Sequence, residues 1–418
     1  MYRRWIQFGS AIVAMIMIAN LQYAWTLFVK PLQSAHKDWS LHGIQLAFTL
    51  FIFLETWITP VEGWMIDRLG PRIFLSMGGV LCGLGWTGMG YARTLTELCV
   101  CYSLAGFGAA FVYSGSISTA LKWFPDKRGT VSGFITAGFG AGSALFIPMI
   151  ADMLKVSDYR TAFLYTGIGQ GLAILIAAQV LQNPGPDFNV SPAAKKPVSP
   201  KLRRNTTQFN SGQMMMTPQF WLLYVAFVLT SVGGLMITAQ AAPVARGMAI
   251  PATAIVLALS LSRVANGGGR IFWGWLSDHV GRELAMVIPF TLQALCIVAV
   301  LVLGKLSGGW FVATMIAVYF TWGSMFSLFP AIIGDYFGAN HATSNYGFLY
   351  TAKGVASIGG GWIAAKLFEK FGNWNADFYS TAALALLSGI LILLVRAMPL
   401  PTPPEGRDRV MVPVAKVS

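Results

Sequence analysis

The sequence predicts an all-α membrane protein with twelve transmembrane helices in two parallel six-helix pseudo-repeats. Three observations predict it. Twelve predominantly apolar runs are each long enough to span a hydrocarbon core of about 30 Å, which takes about 20 helical residues. A single long polar stretch, 183–216, divides them six and six. A loop motif that follows the second run recurs after the eighth at an offset of 211 residues.

Of 418 residues, 55% are hydrophobic and only 11% charged. A soluble chain would carry about a quarter, so no room is left for a soluble domain. The net charge of +13 would point to nucleic acid in a soluble chain, but its distribution excludes that partner. Seventeen Lys and Arg fall on the side of the N-terminus, nine on the other side and three within runs. The positive-inside rule then puts both termini in the cytoplasm. Cys82, Cys99, Cys101 and Cys296 lie in apolar runs at spacings that match no zinc or redox motif, so they read as packing residues. His36, His42, His279 and His341 sit in loops or at helix ends and form no metal pair.

The runs follow in order. The first, 8–30, comes after Arg3 and Arg4 and is too long, and too poor in a cleavage site, for a secretory signal. The second, 42–66, carries Glu55 near its centre and is followed by 73–93 and 96–121. The fifth, 130–154, holds Gly138-Phe139-Gly140-Ala141-Gly142, which suits close helix packing better than phosphate binding because it lies inside an apolar span. No Walker A sequence occurs elsewhere. The sixth run, 160–182, ends at a stretch with Pro184, Pro186, Pro192, Pro197 and Pro200, the composition of a linker. Then come 219–245, 252–277 with Arg263 and Arg270, 284–304, 309–334, 344–368 with Lys353, and 377–397. The expected domains are 1–182 and 217–397, joined by the cytoplasmic linker 183–216 and followed by a cytoplasmic tail, 398–418.

The duplicated loop reads Gly63-Trp64-Met65-Ile66-Asp67-Arg68-Leu69-Gly70-Pro71-Arg72 and Gly274-Trp275-Leu276-Ser277-Asp278-His279-Val280-Gly281-Arg282. Glycine permits the tight turn, Asp can accept from exposed N–H groups, and the arginines stay at headgroup level. One copy would be an ordinary basic loop; two at matching places mark a repeat, as in one class of secondary transporters.

Lys353 and Arg270 are cations at bilayer depth. Such a charge costs about 3 kcal/mol on insertion scales and persists where it faces a cavity or a partner. A planar fork and a compact ammonium together suit a carboxylate. Without an anion the two charges should repel and stay hydrated, disfavouring a closed bundle. A neighbouring acid locked to each of them would defeat this reading. The bland alternatives are an ion pair or carbonyl contacts within the bundle for Arg270 and snorkelling for Lys353.

The duplicated loop and 6+6 layout resemble the major facilitator superfamily over nearly the whole chain. Within it, several stretches are similar to the bacterial oxalate/formate antiporter family. They are Gln22-Tyr23-Ala24-Trp25-Thr26-Leu27, Gln45-x-Ala47-Phe48-Thr49-Leu50, Trp123 to Gly129, Asn266-Gly267-Gly268-x-Arg270-x-Phe272-Trp273-Gly274, Thr321-Trp322-Gly323, Asn345-Tyr346-Gly347-Phe348 and Ala352-Lys353. The resemblance implies a central cavity flanked by Arg270 and Lys353. It implies that Tyr23, Tyr113, Trp322 and Tyr350 line that cavity with Gln22 and Gln45, and that oxalate is exchanged for formate across a bacterial inner membrane. It implies no cofactor and a monomer in the bilayer.

The chain departs from the family pattern at three places. Phe326 stands where a tyrosine is expected. Glu55 is an acid where an uncharged residue is expected, and Arg263 is an extra cation seven residues before Arg270 on nearly the same face. Helices two and eleven are neighbours in the superfamily, so Glu55 either pairs with Lys353 or serves as a proton site, unless it and Arg263 make separate structural contacts. The alternative function is proton-coupled monocarboxylate uptake of the lactate or pyruvate type, with Glu55 as proton carrier. A third reading is a membrane carboxylate sensor acting through 183–216. Multidrug efflux fits poorly with cations in the cavity, and no nucleophile–base or metal constellation supports an enzyme.

Overall fold

The computed structural model describes residues 2–124, 128–185, 188, 202–338 and 341–403, without the side chains of residues 2, 64, 67, 128 and 129. Among them there are helices and no strand. Helix satisfies every backbone N–H and C=O within one segment, which lipid demands of a chain this apolar. Eight helices are each long and apolar enough to cross a membrane outright. Several spans are broken or kinked, each at an identifiable residue.

The first span is α1 (Tyr2–Tyr23) and α2 (Trp25–Ala35), parted at Ala24. The second is α3 (Leu41–Trp57) and the start of α4 (Thr59–Met89), where Pro60 occupies a first-turn position that needs no N–H donor. Within α4 the chain is redirected at Gly70, with φ 75° and ψ 160°, and Pro71 opens the third span. The next three spans are α5 (Leu95–Trp123), α6 (Arg128–Val156) and α7 (Tyr159–Val180).

In the second half a short α8 (Ser211–Met215) precedes α9 (Pro218–Gly247), α10 (Ala252–Val280) and α11 (Arg282–Val302). The tenth span is α12 (Gly308–Trp322) and α13 (Met325–Phe337). It breaks at Gly323, where a β-carbon would lie 2.5 Å from the Asn266 carbonyl of α10. The eleventh is α14 (Ala342–Ser357), a wide π-helical turn over Ile358–Ile363 and α15 (Ala364–Phe371); α16 (Asn375–Ala397) is the last. Four helices starting at the end of the bundle away from the termini are capped by side chains. Ser40, Thr94, Asp158 and Ser307 accept from the backbone N–H of Gly43, Glu97, Thr161 and Trp310.

In the first half α4 packs on α5 and α7, and α1 on α6; in the second α10 packs on α12, and α16 on α9 and α11. The halves meet along two seams, α6 with α10 and α3 with α14, and α2 lies against α9. Helices two and eleven are therefore neighbours, as expected. At the end away from the termini, His42 Nδ1 of α3 lies 2.6 Å from Glu369 Oε2 of α15, so the halves also touch there.

The repeated loop has the same backbone in both copies. Gly281 adopts φ 97° and ψ 151°, matching Gly70, a conformation that strains any residue with a β-carbon. In the second copy Asp278 pairs with Arg282 at 2.7 Å, and Arg282 reaches Asp335 of α13 at 2.8 Å. Arg204 of the linker joins Asp335 at 2.7 Å, and Arg203 donates to the carbonyls of Arg396 and Met398. The described part of the linker around Arg203 and Arg204 thus docks on the second half beside the end of α16. In the first copy the side chain of Asp67 lies outside the described residues, while Arg68 and Arg72 are exposed. Gly63 and Gly274 stand inside helices α4 and α10.

Candidate functional site

The centre of the bundle is built around Lys353, halfway along the seam of α3 and α14. Its Nζ donates to Gln22 Oε1 of α1 at 2.9 Å, to Glu55 Oε2 of α3 at 2.9 Å and to Tyr350 Oη at 3.2 Å. An ammonium has three N–H bonds, and all three are placed. The next residue, Gly354, lets the helices approach: a β-carbon there would collide with Thr56 and Trp57 of α3. Lys353 is 0% exposed and Glu55 2%, so this is a fully desolvated ion pair joining the halves.

This corrects one expectation. Arg270 and Lys353 do not repel into hydrated positions; the bundle is closed around both. The Glu55 carboxylate lies against Lys353 and offsets its charge. Of the alternatives open for Glu55, pairing with Lys353 is the one adopted.

Among the described residues no acid is joined to Arg270 on α10. Its Nη1 donates to the Thr136 carbonyl of α6 at 2.8 Å, and Nε and Nη2 share Asn266 Oδ1 at 3.3 and 3.2 Å. The space for it comes from Gly140 of α6, where a β-carbon would stand 2.7 Å from Asn266 Oδ1 and 3.0 Å from Arg270 Nε. The glycine run is packing: Gly140 faces this guanidinium, whereas Gly138 and Gly142 face Ile12 and Ile16 of α1. Arg270 lies 4.2 Å from the Phe326 ring centre and 5.9 Å from that of Phe139; Lys353 lies 6.0 and 5.9 Å from the same rings. The two cations face a shared aromatic pair.

Arg263, also on α10, is 0% exposed. Its guanidinium carbon stands 4.5 Å from the ring centre of Tyr23, from α1, and 3.8 Å from that of Tyr319, from α12. Nε donates to the Leu259 carbonyl at 3.3 Å, while Nη1 and Nη2 have no hydrogen-bond partner among the described residues. The Tyr23 hydroxyl, Gln22 Nε2 and Asn266 Nδ2 are likewise buried and unpartnered. The centre therefore holds more hydrogen-bond donors than acceptors.

The expected aromatics gather here. Tyr23 lies 5.4 Å from Phe139 and 6.5 Å from Trp322, and Trp322 stands edge-on to Phe326 at 5.2 Å. Tyr113 stacks on Tyr350 at 6.0 Å and 11°. Gln22 is in the cluster but Gln45 is not. Gln45 precedes Glu55 by ten residues, about 15 Å along α3. It accepts from Trp25 Nε1 at 3.0 Å and donates to Ala239 O and Gln240 Oε1. With Thr26, which accepts from Ala242 N, it forms a polar layer closing the end away from the termini. The loop-motif residues lie at the opposite end, remote from the cluster.

Three residues of the centre were not singled out from the sequence. Phe139 was hidden between glycines, and Tyr319 three residues before Trp322. Glu62, 1% exposed and hydrogen-bonded by Ser114 Oγ, was signalled only as a second acid seven residues after Glu55. Two surface clefts, one bounded by Arg72, Met77 and Gln179 and the other by Leu46, Phe53 and Trp362, lie apart from this centre.

Known proteins place the chain. The model of the Major Facilitator Superfamily matches residues 8–361. The oxalate:formate antiporter of Oxalobacter formigenes is 38% identical over 392 residues, covering 94% of this chain and 91% of that protein. Human monocarboxylate transporter 11 is 26% identical, covering 88% of this chain and 78% of its own. Apicoplast pyruvate carrier 1 of Toxoplasma gondii is 24% identical, covering 82% and 73%. With its twelve spans, its paired loop and a family match over most of its length, the chain belongs to the major facilitator superfamily.

Proposed function

We propose that the protein exchanges small carboxylates across a bacterial inner membrane by alternating access, oxalate and formate being the first pair to test. The observation that carries this is the buried, donor-rich centre, in which Arg263, Arg270 and Lys353 outnumber the paired acid Glu55 and the second buried acid, Glu62, seven residues further on. Three cations against these two acids still leave a centre suited to a small anion, and aromatic rings exclude water around it. Similarity to a carrier of oxalate and formate, and more distantly to monocarboxylate and pyruvate carriers, supports the same class.

In this reading Arg270 holds a carboxylate with its remaining N–H groups, and Tyr23, Tyr113, Trp322, Tyr350 and Gln22 shape the pocket. Lys353 and Glu55 hold the two halves together and set the charge of the centre. The units 1–182 and 217–397 rock about it, with both termini and the linker 183–216 in the cytoplasm. The loops at Gly63–Arg72 and Gly274–Arg282 would gate the cytoplasmic end. A bound anion lowers the cost of closing a positive centre, so the halves exchange sides when loaded.

The test is counterflow in liposomes with labelled mono- and dicarboxylates. Lys353→Gln strands the Glu55 carboxylate beside the anion site and should abolish exchange; full activity would refute the role. A second reading, proton-coupled monocarboxylate uptake, is favoured by the carboxylate placed on Lys353. A pH gradient separates the two, because Glu55→Gln removes its drive from symport and leaves pure exchange indifferent to it.

A further inference from the structure

Arg263 is the cation of this centre that nothing has yet been asked to use. It cannot be explained as a counter-charge to Glu55, because that carboxylate is on Lys353. Nor do the two tyrosines account for all of it. Ring stacking engages the faces of a guanidinium, whereas its N–H bonds lie in the plane and point outward from the edge. One of the five, on Nε, reaches the Leu259 carbonyl; the four on Nη1 and Nη2 are unpartnered at 0% exposure. The rings hold the group firmly, since the Tyr319 hydroxyl is itself tied to Thr238 Oγ1 at 2.8 Å. The result is a pre-oriented fork between α1 of one half and α12 of the other.

We infer that Arg263, with the Tyr23 hydroxyl, forms a second carboxylate subsite, so that a dicarboxylate spans Arg270 and Arg263 and not Arg270 and Lys353. Lys353 has no N–H left to give while Glu55, Gln22 and Tyr350 hold it. Arg263 and Arg270 stand seven residues apart on one helix, which places their α-carbons about 10 Å apart along the axis and nearly on one face. Each guanidinium would hold one carboxylate through charge-assisted N–H···O bonds. Tyr23 belongs to both ends of this span, with its ring under Arg263 and beside Phe139, which faces Arg270. Its hydroxyl is buried and unpartnered. A monocarboxylate would occupy Arg270 alone. The subsite rests on the transport reading but concerns only which charge takes the second carboxylate.

The experiment compares full-length wild type, Arg263→Gln and Arg270→Lys in proteoliposomes, with oxalate and succinate against formate. In Arg263→Gln the half-saturating concentration should rise at least tenfold more for the dicarboxylates than for formate, whereas Arg270→Lys should weaken both classes together. An unchanged ratio, or parallel loss of both classes in a monodisperse Arg263→Gln protein, overturns the subsite. Should Arg263→Gln not purify, Arg263→Lys keeps the charge without the fork and should narrow the same ratio severalfold; no narrowing overturns it. Thermal stabilisation of detergent-solubilised wild type is read in parallel. Dicarboxylates should protect more than formate even if no flux is seen, which separates a failed subsite from a failed transporter; equal protection by both overturns the subsite.

Discussion

Glu55→Gln perturbs the centre with the least change of shape. Glutamine keeps a carbonyl oxygen for the Lys353 ammonium but removes the negative charge. Breaking a buried pair by removing one partner costs about 3–5 kcal/mol, because the other charge is left uncompensated in a medium of low polarity. The retained hydrogen bond recovers about 1 kcal/mol. About 2–4 kcal/mol remains, and Arg270 and Arg263 nearby push it towards the upper figure. The pair bridges α3 and α14, so the cost falls on the closed arrangement of the two halves. At tenfold per 1.4 kcal/mol, closure should weaken by roughly 30- to 1,000-fold relative to states in which Lys353 reaches water. The assay is thermal unfolding in detergent with and without oxalate. The variant should unfold several degrees lower than wild type on its own, and oxalate should stabilise it more than it stabilises wild type, since an added anion now supplies the missing charge. A variant as stable as wild type, with the same oxalate shift, would show that the pair carries neither closure nor charge balance.

Arg270→Lys keeps the charge but loses the fork that spans Thr136 O and Asn266 Oδ1; at a bidentate site this exchange is not conservative. Initial counterflow rates should fall at least about 100-fold, roughly 3 kcal/mol at 1.4 kcal/mol per tenfold, in protein that still elutes as a single species. The glycine run of α6 offers an internal control. Gly140→Ala places a carbon 2.7 Å from Asn266 Oδ1 and should cost about 1–3 kcal/mol by overpacking. Gly138→Ala meets nothing nearer than 3.7 Å and should leave unfolding temperature and flux near wild type. Equal effects at the two positions would mean that the seam of α6 and α10 is not packed as described.

The fold was legible because lipid leaves a chain few choices. Twelve apolar runs, one linker and a loop repeated at a 211-residue offset left little else to build. The breaks inside spans were not legible, because each is set by a neighbour and not by local pattern. Gly323 interrupts the tenth span where the Asn266 carbonyl comes close, which no periodicity reports. The cations were visible as charges in apolar runs, and so was Glu55. Their pairing was not decidable, since it depends on Gly354 letting α14 come within reach of α3. Gln45 was drawn into the site by family pattern, and its place 15 Å away follows from counting helix turns. Phe139 and Tyr319 were missed because an aromatic residue in a membrane run is ordinary until a guanidinium is found against its face.

Glu55 and Arg263 make sense as a pair of changes. Arg270 and Lys353 alone would give the centre two positive charges. Adding one acid and one guanidinium keeps the sum at two but relocates the uncompensated charge from Lys353 to Arg263. Lys353 lies on a seam whose contacts continue on both sides. Towards one end are Thr49 with Ser357 and His42 with Glu369; towards the other, Gly347 packs on Thr59 and Pro60. A contact at the middle of such a seam is a pivot. It survives the opening of either end, which a bond near one end does not. On the proposed reading the Lys353–Glu55 pair can therefore stay made through a cycle while the cargo travels on α10, held by two arginines of one rigid helix. A pivot that also had to release its counter-charge to bind each ligand would lose the closing contact at the moment the loaded bundle needs it. Moving the second anchor to Arg263 removes that conflict, and it explains why a guanidinium with four unused N–H groups is kept where no water reaches it.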